Sequence, residues 1–264
     1  MSITADRRDG APTGDAERPR LIVILPVALA GLVAAGALLV PNLLASNLCS
    51  NETAAIATLR NLAACQQQVQ KQGAVDADGD GVGEFGTLGE LTGVVPVRAA
   101  PGRTAKVLSP PILSPALAKV TTEGWVEKSH YAFAVFLPRA GGGWIRETGT
   151  VPAGPAESTA GCVGSGNAAP GGAGVSAEGT VDAALAAREW CAIAWPRMVE
   201  DRTRRVFLVT ARGELLWTAN ERGVFCGTVL PAGPADVLPP GWKPGDPVVG
   251  GYESRLGEVW LTSN

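Results

Sequence analysis

Asp76, Asp78 and Asp80, in the stretch Asp76-Ala77-Asp78-Gly79-Asp80-Gly81-Val82-Gly83-Glu84, are the residues of this chain whose type and spacing could hold a metal. Carboxylates at the first, third and fifth positions with glycine at the sixth match the opening half of a calcium-binding loop. There the glycine turns the chain so that hard oxygen donors converge on a hard cation. The Val82 carbonyl stands at the seventh position and Glu84 at the ninth. The twelfth is Thr87 rather than a bidentate glutamate, and Glu90 comes three residues too late. Two readings follow. One is a single-loop calcium site made by Asp76, Asp78, Asp80, Val82 and Glu84 and completed by water or a remote carboxylate. The other is a solvated, metal-free acidic turn.

Other reactive residues argue less. His130 is the single histidine, and it abuts an apolar run, which suits a strand edge better than a catalytic base. Ser129 is merely its neighbour, and no G-x-S-x-G is present. Gly161-Cys162-Val163-Gly164-Ser165-Gly166 lacks the strand-turn-helix setting of a phosphate loop. No catalytic activity is expected. The five cysteines are Cys49, Cys65, Cys162, Cys191 and Cys226, with no CxxC among them, so neither a redox motif nor a zinc knuckle is supported. Cys49 and Cys65, on one helix, are too far apart to pair. Cys191 and Cys226 flank strand-like segments and form the favoured bridge. Of the seven tryptophans, Trp195 and Trp217 fall within strands and are expected in the core rather than on a glycan-binding platform. With a net charge of -3, nothing points to nucleic acid.

The elements that would position these residues begin with Leu21 to Leu44, an apolar run without one ionisable side chain. As a helix it is roughly 36 Å long, enough to cross a bilayer core. Arg7, Arg8, Arg18 and Arg20 precede it and the next basic residue is Arg60, so residues 1–20 are expected in the cytoplasm and the remainder outside. A cleaved signal ending near Ala45-Ser46 is the rival reading, although its apolar core would normally be about 7 to 15 residues long. The expected organisation is a cytoplasmic segment at 1–20, a transmembrane helix at 21–45 in the inner (cytoplasmic) membrane, and an extracytoplasmic head at 46–264.

Ile56, Leu59, Leu62, Ala63, Gln66 and Val69 recur at helical spacing, and Gly73 makes a natural stop. One helix is expected from about Leu21 to Lys71, its first half in lipid and its second against the head. Strands are expected at Tyr131 to Leu137 and Glu189 to Trp195. A hairpin is expected around Arg212-Gly213, and another between Tyr252 and Leu261 around Leu256-Gly257. Ala140 to Thr180 and Pro231 to Pro247 read as irregular surface excursions. The fold class is therefore α+β, a long N-terminal helix packed on an antiparallel sheet.

Leu38 to Leu62, LLVPNLLASNLCSNETAAIATLRNL, resembles the N-terminal helix of type IV pilins and type II secretion pseudopilins. The resemblance spans roughly Leu21 to Gln68. Weaker similarity to pilin-like heads lies in Gly124 to Pro138 and Trp195 to Glu214. It implies a pilin-like head on a membrane helix, subunit packing through Ala28, Ala30, Gly31, Ala34, Ala35, Gly36 and Ala37, and in some heads calcium. The chain departs from the family where Pro19, Arg20 and Ile24 stand at the positions of the leader glycine, the phenylalanine and the filament-registering glutamate. Those departures imply that leader cleavage and polymerisation are lost. The function expected is a non-enzymatic structural or assembly component of a pilus or secretion apparatus, with membrane lipid and other pilin-like subunits as partners. The alternative is a membrane-anchored binding module ordered by calcium.

Overall fold

In the computed structural model, a helix over residues 50–72 (α1) lies along one face of an antiparallel sheet. The structure describes residues 50–149, 175–176, 179–197, 205–227 and 233–263. The expected cytoplasmic segment and transmembrane helix fall outside these, as do Cys49, Cys162 and the glycine-rich stretch around them. Among the described residues, no helix is long and apolar enough to cross a membrane.

Ala55, Leu59, Leu62, Gln66 and Val69 of α1 are almost fully buried. Their spacing of three and four keeps one stripe against the sheet. Gly73, with φ of 59°, ends the helix as expected, and Ala74 N–H turns back to the Val69 carbonyl at 3.2 Å.

Nine strands follow in the order β4-β3-β2-β5-β6-β7-β9-β8, with β1 also paired to β2. They are β1 (Val126–Lys128), β2 (Tyr131–Pro138), β3 (Trp144–Arg146), β4 (Val175–Ser176), β5 (Cys191–Pro196), β6 (Val206–Thr210), β7 (Leu215–Thr218), β8 (Tyr252–Glu253) and β9 (Val259–Thr262). All pairings are antiparallel except β3 with β4. β1 pairs with the first half of β2 and β3 with the second, so both lie on the same side of β2. β2, β5 and β6 are buried at every residue because both faces of the sheet are covered, which is why their sequences are continuous apolar runs. Tyr131, Phe133, Val135, Ala192, Ala194, Phe207 and Val209 meet α1. Ala134, Phe136, Ile193, Trp195, Val206, Leu208 and Trp260 point the other way.

That second face corrects one expectation. The segment from Pro231 to Pro247 is not a surface excursion throughout. Its short helix α4 (Pro234–Val237), with Leu238 and the following Val248, closes over the sheet, and Val237, Leu238 and Val248 are 0%, 3% and 3% exposed. Likewise β3 and β4 form within the stretch expected to be irregular from Ala140 to Thr180. Both expected hairpins are present, with Gly213 and Gly257 at positive φ.

The cysteine expectation is overturned. Cys191 is a free, buried thiol on the second face of the sheet. Cys226 is disulfide-bonded, and since Cys65 is also free, its partner is neither Cys65 nor Cys191. Strand β5 places Cys191 in the buried apolar cluster of the second face, with Ile193, Trp195 and Val237. Trp125, Trp144, Trp195 and Trp260 are core residues of the second face, Trp190 is a core residue on the α1 side, and Trp217 is partly buried against that α1-side core. His130 is an exposed turn residue rather than a strand-edge one. With Ser129 it forms the two-residue connection from β1 to β2, both at positive φ (61° and 52°).

Candidate metal centre

The acidic loop starts where α1 stops. Val75, fully buried, pins its entry, and Glu84 N–H bonds to the Val75 carbonyl at 2.9 Å, closing the loop at its neck. Phe85 N–H then bonds to the Ala186 carbonyl (2.9 Å) at the end of α3 (Ala183–Ala186), and Gly83 lies so close to the end of α1 that a Cβ there would sit 1.9 Å from the Gln70 carbonyl oxygen. Only glycine fits there without displacing backbone.

Inside the loop each aspartate folds the chain around itself. Asp76 Oδ1 accepts from Gly79 N–H at 2.8 Å, Asp78 Oδ1 from Asp80 N–H at 3.1 Å, and Asp80 Oδ1 from Val82 N–H at 2.7 Å. The last two are Asx turns and the first reaches one residue further, the local bonding that makes aspartate a turn former. Gly79 and Gly81 have φ of 78° and 82°, a region closed to most side chains. As a result, one carboxylate oxygen from each of Asp76, Asp78 and Asp80 lies within 4.8 Å of the others. Asp76 is largely buried, and Asp78 and Asp80 are exposed. Three hard anionic oxygens at this separation match the donor chemistry calcium uses, with 6–8 oxygens at roughly 2.3–2.6 Å.

One of the five sequence-named residues, Glu84, stands differently, while Val82 was named for its carbonyl alone. Val82 is exposed, and its N–H is committed to Asp80. Glu84 is 1% exposed and holds the neck: its Oε1 accepts from Ala77 N–H at 2.6 Å and its Oε2 pairs with Arg98 at 3.0 Å. Burial pushes the Glu84 carboxyl above its ordinary value. The Ala77 N–H and the Arg98 charge work against that shift, while Asp78 and Glu90 reinforce it.

Arginine residues carried no signal in the loop pattern, yet they frame it. Arg98 bonds Glu90 at 3.0 Å and the Phe85 carbonyl besides Glu84, tying the neck to α2 (Leu88–Leu91), where Thr87 and Glu90 form a capping box. Arg103 reaches Asp76 Oδ2 at 3.0 Å from the adjacent loop, whose Ala99 bridges Asp76. Its guanidinium supplies one positive charge at the edge of the triad, the charge a cation would also supply. A bound ion must therefore share or displace it.

The chain matches no known protein family, and neither the curated proteins nor the solved structures contain a significant match to it.

Proposed function

We propose that this protein is a membrane-anchored, pilin-like structural or assembly component of a pilus or secretion apparatus, with an extracytoplasmic head and no catalytic role. The observation that carries this reading is the closeness in sequence of α1 to the apolar run. A helix that lies along an antiparallel sheet through Ala55, Leu59, Leu62 and Val69 is preceded, only a few residues upstream, by the chargeless stretch Leu21 to Leu44. The resemblance of Leu38 to Leu62 to pilin helices supports the same reading. Lipid and like subunits are the partners it implies, the latter meeting along the small residues from Ala28 to Ala37, where close backbone approach lets van der Waals contact drive helix pairing. Crosslinking in native membranes tests it: the wild-type chain yields adducts with pilin-like subunits, and Gly31→Leu with Ala35→Leu removes them. Wild-type adducts unaffected by that change would remove the assembly role.

A second reading, a calcium-ordered binding module, is favoured by the convergence of Asp76, Asp78 and Asp80. Calcium titration by calorimetry distinguishes it, since the loop then gives a one-to-one isotherm that Asp78→Asn abolishes.

A further inference from the structure

The sheet is wider than the helix that covers it. On β9, Trp260 is buried in the second face while its neighbours Val259 and Leu261, on the α1 side, are 51% and 40% exposed. Leu261 stands opposite Trp217 of β7, which is only partly buried, so the three make an apolar corner at the end of the sheet. Its position is fixed by a chain of contacts. The Arg205 guanidinium lies 5.2 Å from the Trp217 ring centre and pairs with Glu52, at 2.6 Å, in the first described turn of α1. The charges bordering the corner are mutually compensated: Arg205 with Glu52, and Arg222 with Glu253 at 3.8 Å, Glu253 being the register partner of Val259.

We infer that this corner rests on the lipid headgroup layer of the membrane. The inference builds on the anchored reading above. The apolar run ends at Leu44, and the link from there to Ser50 spans at most about 20 Å, so a span through Leu44 keeps the Glu52 end of the head close to the bilayer. An indole and two aliphatic side chains ringed by neutralised ion pairs suit the interfacial region, where amphipathic tryptophan is favoured and free charge is not required. Docking there covers apolar surface that the fold itself leaves in water.

The full-length chain in vesicles of phosphatidylethanolamine and phosphatidylglycerol provides the test. A benzophenone amino acid replaces Val259 in one sample and Val107, which is 47% exposed on a loop, in another. After irradiation, lipid adducts at position 259 should exceed those at 107 several-fold. Equal yields, or crosslinks between two copies of the chain, overturn the inference. Quenching by brominated lipid avoids the bulky probe: Trp217→Phe should remove most of the quenchable emission, and unchanged quenching overturns the inference as well. Alkaline carbonate extraction separates the two ideas. A chain retained in the vesicles without adducts sinks the docking alone, whereas a chain released into the supernatant sinks the anchor with it.

Discussion

At the residue scale, the Asp76–Glu84 loop divides into a part legible in sequence and a part that was not. The alternation of aspartate and glycine specifies its own geometry, because each carboxylate bonds an amide two or three residues ahead. The arginines do not follow from any local pattern. Arg98 and Arg103 arrive from the adjacent loop, Arg98 to hold Glu84 at the neck and Arg103 to hold Asp76. If the loop takes calcium, Arg103→Ala should tighten it several-fold in a calorimetric titration, because the ion no longer competes for Asp76. Unchanged affinity would mean that Arg103 and the ion do not share that oxygen. A pH dependence belongs here too. Glu84, Glu147 and Glu189 all have carboxyls raised above their ordinary range, in each case first by burial. A raised carboxyl holds its proton better in the folded than in the unfolded chain, so its contribution is present below about pH 4.5 and is lost as pH rises through the folded value. These groups therefore favour the fold toward mildly acid pH. Melting temperature should rise as pH is lowered toward 4.5, and Glu147→Gln should flatten that slope. Glu147 is the most informative of the three, since it also accepts from Gly89 N–H at 2.8 Å.

At the element scale, long apolar runs and glycine turns were legible and short edge elements were not. β2 and β5 announce themselves because two-sided burial leaves no polar positions. β1 was missed because its turn is Ser129-His130, which takes the positive φ values of a tight hairpin without the Asn-Gly that usually signals one. β3 is three residues between glycine-rich and polar segments and offers no periodicity to read. The α1 stripe was legible in Leu59, Leu62, Val69 and its polar member Gln66, whereas Ile56 and Ala63 are only partly buried and the buried Ala55 and Cys65 were not read as part of it. Gln66 is fully buried, donating to the Gly86 carbonyl at 2.7 Å and accepting from Gly86 N–H at 2.8 Å. Gln66→Leu strands both backbone groups and should cost about 2–4 kcal/mol by chemical denaturation. Leu62→Ala, which only opens a cavity, should cost about 2–4 kcal/mol as well. The two are distinguished by location, since hydrogen exchange at Gly86 should accelerate selectively in the Gln66 variant. Equal acceleration in both would deny the amide its specific role.

At the scale of the whole molecule, the α+β class followed from the order of the patterns, and the second layer did not. Nothing in the proline-rich run after Gly233 marks it as a cover over Trp195 and Trp260, because Val237-Leu238 and Val248-Val249 are short apolar pairs among prolines and glycines, with no helical or strand period to read. The cysteine pairing failed for a related reason: strand-flanking positions carry no information about which face each thiol enters. The account proposed above from the apolar run in the sequence is a head presented outside a membrane by an uncleaved helix. Its most direct test is the intact mass of the protein extracted from native membranes, read together with N-terminal sequencing. The account predicts a chain that retains the arginines before Leu21, because Pro19, Arg20 and Ile24 deny a pilin leader peptidase its site. A chain beginning near Ser46 would contradict it, for the helix would then have been a secretion signal and the head a released protein.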